Sequence, residues 1–312
     1  MNIIRYTAEM KTRWNAFVDS SKNATFLFKR DYMDYHSDHF SDHCLLFVDD
    51  KNKLLALMPA NQKEDALVSH GGLTYGGILS DASMTTPRMF ELFDMLKLYA
   101  HSNGIKRIIY KTIPHIYSRI PAQEDQYALF RHGALLSRRD VLAVIEKSNH
   151  LPYQARRKRK ISQARNAKLE IKKSVDYKAF WIILEENLLR RYKVKPVHSL
   201  SEITLLAGYF PEHIHLHICS AGKKILAGMV VYVTDDVAHV QYISTSEDGR
   251  NIGALDLLFA ELIEHVYADK RYFDFGISTE QNGKMLNLGL IEQKEGFGAR
   301  AVVHDQYEMA VR

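Results

Sequence analysis

The feature that most constrains this chain is that one order of elements occurs in it twice. In the first half an amphipathic segment at 8–20, with Met10, Trp14 and Phe17 at helical spacing, and a second helix at 29–36 lead into a hairpin. That hairpin is the apolar run 44–48, a polar turn at 49–53 and a second apolar run at 54–60. Runs this short, rich in branched residues and bounded by turn formers, read as strands. A Gly-rich strand (68–77), a long helix (87–102) and a strand (107–113) follow.

The second half repeats the order: a helix at 176–192 with Asp176 as its N-cap, a hairpin of 215–219 and 225–233, a strand at 239–244, a helix at 254–267 and a strand at 272–277. The offset is roughly 170 residues, near the ~150 of an ordinary domain. Antiparallel strands joined by a crossover helix to a further strand predict an α/β (α+β) class with mixed central sheets flanked by helices. The expected domains are 1–150 and 151–312, cut where Asn149, His150 and Pro152 interrupt the pattern, with a basic helix at 155–169 opening the second.

At 46% hydrophobic and 25% charged residues, the composition excludes disordered and disulfide-scaffold classes. The N-terminus, MNIIRYTAEMKTRWNAF, has no apolar run behind a basic start, and no apolar stretch reaches the ~18 residues of a membrane span. Cys44 and Cys219 form no CxxC pattern, so a cytoplasmic protein without an integral membrane segment is expected. Positive charge is concentrated: Arg156, Arg157, Lys158, Arg159, Lys160, Arg165, Lys168, Lys172 and Lys173 face the single acid Glu170. Such a cluster attracts polyanions.

Three segments carry candidate chemistry. Residues 245–253 read as a small-residue turn before a helix, where backbone N–H groups and the helix dipole favour an anion and Arg250 adds charge. The second, 272–300, holds Asp274, Glu280 and Lys294, with Tyr242 on the preceding strand. In the third, 69–77, dense glycine marks a bulge or a close ligand approach, and His70 and Tyr75 are candidates to line a cleft. Two histidine groups (His36, His39, His43; His213, His215, His217) match no metal motif, so no metal is expected.

Arg250 and Gly253 resemble the Arg/Gln-x-x-Gly-x-Gly/Ala loop of GNAT acyltransferases, although Leu255 takes the last small position. Asp274 with Gly276, Gly289 with Leu290, Lys294, and Phe297 with Gly298 are similar to the C-terminal motif of the FemABX-type tandem GNAT enzymes, with Gln293 in place of an aromatic residue. The resemblance implies an N-acyltransferase, of which the N-acetyltransferases are one kind. It implies acyl-coenzyme A (acetyl-coenzyme A) or aminoacyl-tRNA as donor, and as acceptor an amine of a cell-envelope precursor or small amino compound. It implies a first domain on the acceptor side and a second on the donor and catalytic side. Arg250, Asn251, Gly253 and Ala254 would bind the cofactor. Asp274, Glu280, Lys294 and Tyr242 would orient or deprotonate the amine and steady developing charge. His70, Tyr75, Ser278, Thr279 and Asn287 would contact substrate. The basic helix keeps tRNA open as a partner. An RNA- or tRNA-binding module and an inactive scaffold on the same fold are the alternatives.

Overall fold

The computed structural model describes residues 1–311. It divides into two compact units: Met1–Asp140 with Glu280–Met285 and the segment from Val303, and Val141–Thr279 with Leu286–Val302. The division falls at Asp140, inside the twelve-residue strand 135–146, rather than at His150, which follows the short turn after that strand.

The first unit runs β1 (Asn2–Arg5), α1 (Lys11–Ser20), α2 (Arg30–Met33), β2 (Ser41–Asp42), β3 (Leu45–Val48), β4 (Leu54–Met58), β5 (Asn61–Lys63), β6 (Ala66–Val68), β7 (Leu79–Ser80), α3 (Thr86–Ser102), β8 (Arg107–Lys111), α4 (Glu124–Arg131) and the start of β9 (Leu135–Glu146). Strands β1-β3-β4-β7 form one sheet, and β2-β5-β6-β8 lie side by side in another. Thr85 caps α3 and Pro87 sits in its first turn, where a missing N–H costs nothing. Met89, Leu92, Phe93, Leu96 and Ala100 then form a buried stripe on Leu45, Phe47, Leu67 and Ile108. Strands β6 and β8, on either side of α3, pair in parallel.

The second unit runs α5 (Ala155–Asn166), β10 (Glu170–Ser174), α6 (Tyr177–Tyr192), α7 (Leu200–Tyr209), β11 (Ile214–Ala221), β12 (Lys224–Val233), β13 (Val237–Thr245), α8 (Glu247–Ile252), α9 (Ala254–Glu261), β14 (Tyr272–Ile277), β15 (Thr279–Glu280), β16 (Met285–Leu286), α10 (Leu288–Glu295) and the start of β17 (Arg300–Ala310). Its strand order is β10-β11-β12-β13-β14-β9. Asp176 caps α6 by accepting from the Ala179 amide at 3.0 Å, and Ser199 with Glu202 makes a capping box on α7. Strand β12 is buried from Leu226 to Val233, and at Gly228 a Cβ would stand 2.3 Å from the Phe180 ring, so a glycine lets α6 lie on the strand. Strands β13 and β14, on either side of α9, pair in parallel. The repeated order therefore has the same consequence in each unit, a parallel pair bridged by a helix.

Strand β17 pairs antiparallel with β8 from Gln306 to Ala310, which assigns the chain's last strand to the first unit. Two local expectations change. The Gly-rich segment is a strand only to Val68; from Ser69 it is loop, and His70 adopts φ +51°. The 245–253 turn is largely the helix α8, capped by Ser246 and ended by Gly253 at φ +80°.

Candidate functional site

Strands β13 and β14 keep parallel register only through His239 opposite Asp274. Past that pair they part, while β14 stays on β9 along its other edge, from Tyr272 opposite Glu146 to Ile277 opposite Leu142. On its other side β13 carries a bulge at Gln241, since Val230 faces Tyr242 while Val231 faces Val240. An extra residue of this kind bends a strand and re-aims its side chains.

The splayed strands are pinned by charged groups. Asp274 is fully buried, accepts from the Gly276 amide at 2.7 Å and meets His239 Nδ1 at 2.8 Å. Lys294, on α10, donates to the Gly276 carbonyl at 2.9 Å, the Ile277 carbonyl at 2.6 Å and Ser278 Oγ at 3.0 Å. Those three bonds use every hydrogen of the ammonium. Burial pushes the Lys294 pKa down to about 8, against an opposing pull from the Asp274 carboxylate. Ser278 is tied to Val141, and Asn287 caps α10 by accepting from the Leu290 amide at 3.0 Å.

Beside this knot the second unit contains a cleft of about 660 Å³. Arg156, Arg157 and Lys160 of α5 and Arg250 of α8 line it, with Asn187, Ser244, Thr245 and Asn287 as neutral polar groups and Leu184, Ile243, Leu255 and Leu290 as apolar wall. Among the described residues Asp256 is its one acidic lining residue, and it holds Arg157 at 2.5 Å. Burial raises the Asp256 pKa, with Arg157 working the other way. Arg156 pairs with Glu292 at 2.7 Å, and Lys160 donates to the Asn251 carbonyl at 3.0 Å. With two of the four cations paired to Glu292 and Asp256, the cleft keeps a net positive lining, which favours an anion.

Asp274, Lys294 and Ser278 come together as one cluster. Asn287 lines the cleft, and Thr279 follows Ser278 half-buried in β15. Glu280 groups with the first unit. Tyr242 is buried, with its hydroxyl 2.5 Å from His198 Nδ1 and 3.2 Å from the His198 amide, and burial pushes its pKa up to about 12. Of the four expected cofactor residues only Arg250 lines the cleft. The Asn251 carbonyl is occupied by Lys160 and Gln163, and Ala254 is in the core. Gly253 lies close under α5, where a Cβ would be 2.7 Å from the Lys160 carbonyl oxygen. The expected open cradle is altered too, because the amides of Arg250 and Gly253 are spent on the carbonyls of Ser246 and Gly249.

In the first unit Tyr75 is a core residue, its hydroxyl 2.9 Å from Thr25 Oγ1 and its ring 4.4 Å from that of Tyr117. His70 is buried between His36 and Phe40, and burial pushes its pKa down to about 3. His215 and His217 share a partner, the Tyr267 hydroxyl. Sequence reasoning missed His239, Asp256 and Asn187. The i, i+3 spacing of Arg157 and Lys160 was the readable signal for one cleft-facing side of the basic helix.

Residues 154–282 match the family described as acetyltransferase (GNAT) domain. Across the whole chain, the structure of FemX superposes with a TM-score of 0.67 at 11% identity, over 98% of this chain and 97% of that one. The fold is that of the tandem GNAT proteins. L-PGS from Bacillus licheniformis shares this fold with a TM-score of 0.62 at 13% identity, over 96% of this chain and 91% of its own. A tandem GNAT protein from the clavulanic acid biosynthesis pathway gives 0.52 at 9% identity, over 100% and 98%. No curated protein matches the chain. The GNAT match covers the cations of α5, the bulged strand, α8, α9 and β14. In this FemX-like tandem GNAT fold, the cleft and the Asp274–Lys294 knot both belong to the second copy.

Proposed function

We propose that the protein is an N-acyltransferase whose second unit binds the anionic carrier of an activated acyl group and passes that group to an amine. The observation that carries this is the cleft of about 660 Å³, lined by Arg156, Arg157, Lys160 and Arg250 beside the open ends of β13 and β14. With acyl-coenzyme A as donor, the amine nitrogen bonds to the acyl carbon, the carbon–sulfur bond breaks, and the proton the amine gives up ends on the departing thiol. Such a reaction needs mainly two reactants held in line and charge steadied as it develops. The four cations hold the carrier's phosphates by charge-assisted contacts. Tyr242, its hydroxyl held by His198 and outside the cleft's lining, braces β13 rather than exchanging a proton with the reactants. Lys294 and Asp274 position the β14 exit instead of touching the reactants, since their polar atoms are turned to Gly276, Ile277, Ser278 and His239.

The likeness to FemX supports an amine of a cell-envelope precursor as acceptor and keeps aminoacyl-tRNA as a second donor. The exposed charges Lys158, Arg159, Arg165, Lys168, Lys172 and Lys173 favour that second reading or an RNA-binding role. Among the described residues no helix is long and apolar enough to cross a membrane. The test is thermal unfolding with coenzyme A, acetyl-coenzyme A and bulk tRNA in parallel. A carrier at a hundred times its Kd adds about 2.7 kcal/mol of stability, a rise of roughly 5 °C. A rise with coenzyme A that is lost in Arg156→Ala supports the proposal. A rise with tRNA alone moves the donor to aminoacyl-tRNA, and no rise with any leaves an inactive scaffold.

A further inference from the structure

The last stretch of β13 is a strand with support on one side. Strand β12 stays beside it as far as Thr245, opposite Ala227, whereas β14 leaves its other edge after His239. The same stretch is a wall of the cleft, through Ile243, Ser244 and Thr245. A half-supported strand flexes, and a wall that must be stilled when a ligand arrives lowers that ligand's affinity.

Two side chains, one on α6 and one on the connection from α6 to α7, fasten this wall. Leu184, Asn187 and Leu188, at i, i+3 and i+4, turn one side of α6 to the cleft. Asn187 Nδ2 donates one hydrogen to Ser244 Oγ at 2.7 Å and the other to the Thr245 carbonyl at 2.8 Å. Ser244 Oγ gives its own hydrogen to the Ile183 carbonyl at 3.1 Å, so it accepts from Asn187, and this fixes which way the amide points. Asn187 Oδ1 accepts from Arg190 at 3.0 Å. The amide therefore faces the strand although it stands in the lining. Earlier on β13, the Tyr242 hydroxyl is gripped twice by His198, whose backbone amide donates to it at 3.2 Å and whose Nδ1 lies 2.5 Å away. His198 is buried and does not line the cleft, and the Trp181 ring of α6 stands 5.1 Å from that of Tyr242. Residues 242, 244 and 245 are thus held from one side, with Ile243 between them.

We infer that Asn187 and His198 are positioning residues for the donor: they hold the Ile243–Thr245 wall of the cleft in place, His198 acting through the Tyr242 hydroxyl. This rests on the reading of the cleft as the donor site.

The experiment measures coenzyme A binding by titration calorimetry at 25 °C to the wild type, Asn187→Ala, His198→Ala and His198→Asn, with folding checked by circular dichroism. The two alanine variants should each bind about tenfold more weakly, the loss expected of a hydrogen bond or two in the wall. In His198→Asn the shorter amide stands where Nδ1 stood, reaches the Tyr242 hydroxyl and should recover most of the affinity. His198 lies outside the lining, so a loss there reaches the ligand only through the strand. Tyr242→Phe, which removes the hydroxyl alone, asks the same question should His198→Ala fail to fold, and should show the same loss. Variants that melt earlier yet bind coenzyme A as the wild type does would overturn the inference and leave the donor site standing. Failure of the wild type to bind coenzyme A would overturn the reading of the cleft as its site, and the inference with it.

Discussion

Replacing Lys294 with Met isolates the consequence of burying an ammonium in the β14 exit. The folded-state pKa is depressed from 10.5 to about 8. The unfolded chain therefore binds more protons than the folded one between pH 8 and 10.5, and the sign of the linkage makes stability rise with pH across that window. At about 1.36 kcal/mol per unit the full gain is about 3 kcal/mol, or roughly 5 °C in Tm for a chain of this size. Lys111 is also depressed to about 8 by burial, so the wild type alone does not isolate the effect. The quantity to read is the difference between wild-type and Lys294→Met melting curves, measured by circular dichroism from pH 7 to 10.5. That difference should move in favour of the wild type by a few degrees as pH rises, whatever offset the lost hydrogen bonds produce at neutral pH. Parallel curves would refute the claim that this lysine is held charged against its burial.

Arg157→Leu leaves the Asp256 carboxylate without its 2.5 Å partner and should cost about 3 kcal/mol of stability at pH 7, read by denaturant titration, along with weaker coenzyme A binding. Gly253→Ala strains a φ of +80° and drives a Cβ to 2.7 Å from the Lys160 carbonyl oxygen. It should lower Tm by several degrees and loosen donor binding together, whereas the exposed Gly104, also at positive φ but with nothing within 4 Å, should give the smaller loss. Asp125 is raised to about 6 by burial, so the folded state holds its proton longer than the unfolded chain and the residue's contribution falls as pH rises from about 4 to 6. Asp125→Asn should flatten that part of the pH–stability curve, and an unchanged slope would contradict it.

The legibility of the fold in the sequence follows from which forces act locally. Periodicity and caps gave α3, α6 and the paired hairpins, because the stripe from Met89 to Ala100 and the cap at Asp176 are decided within a few residues. The path of β17 was not readable, since its pairing with β8 joins residues some two hundred positions apart and no local pattern encodes it. The glycines at 71 and 72 misled in the other direction. A Cβ at Gly72 would lie 2.1 Å from His36, so glycine there answers to loop packing rather than to a strand. For the site, the structure brings Asp274, Gly276 and Lys294 together, twenty positions apart at most in sequence. Their mutual geometry, with every ammonium hydrogen spent on the β14 exit, was not readable from the letters, and it is the ground on which we propose them as positioning groups rather than reactants. The cations of α5 stood out as a run of charge. Only the packing of α5 against α9 divides them into Arg156, Arg157 and Lys160 facing the cleft and Lys158 and Arg159 facing solvent.

The most direct test of the donor site is hydrogen–deuterium exchange read by mass spectrometry with and without acetyl-coenzyme A. The account predicts slowed exchange in α5, in residues 244–256 and in α10, with the first unit's 66–80 segment unchanged. Protection confined to that first-unit segment, or no protection anywhere at saturating ligand, would contradict it.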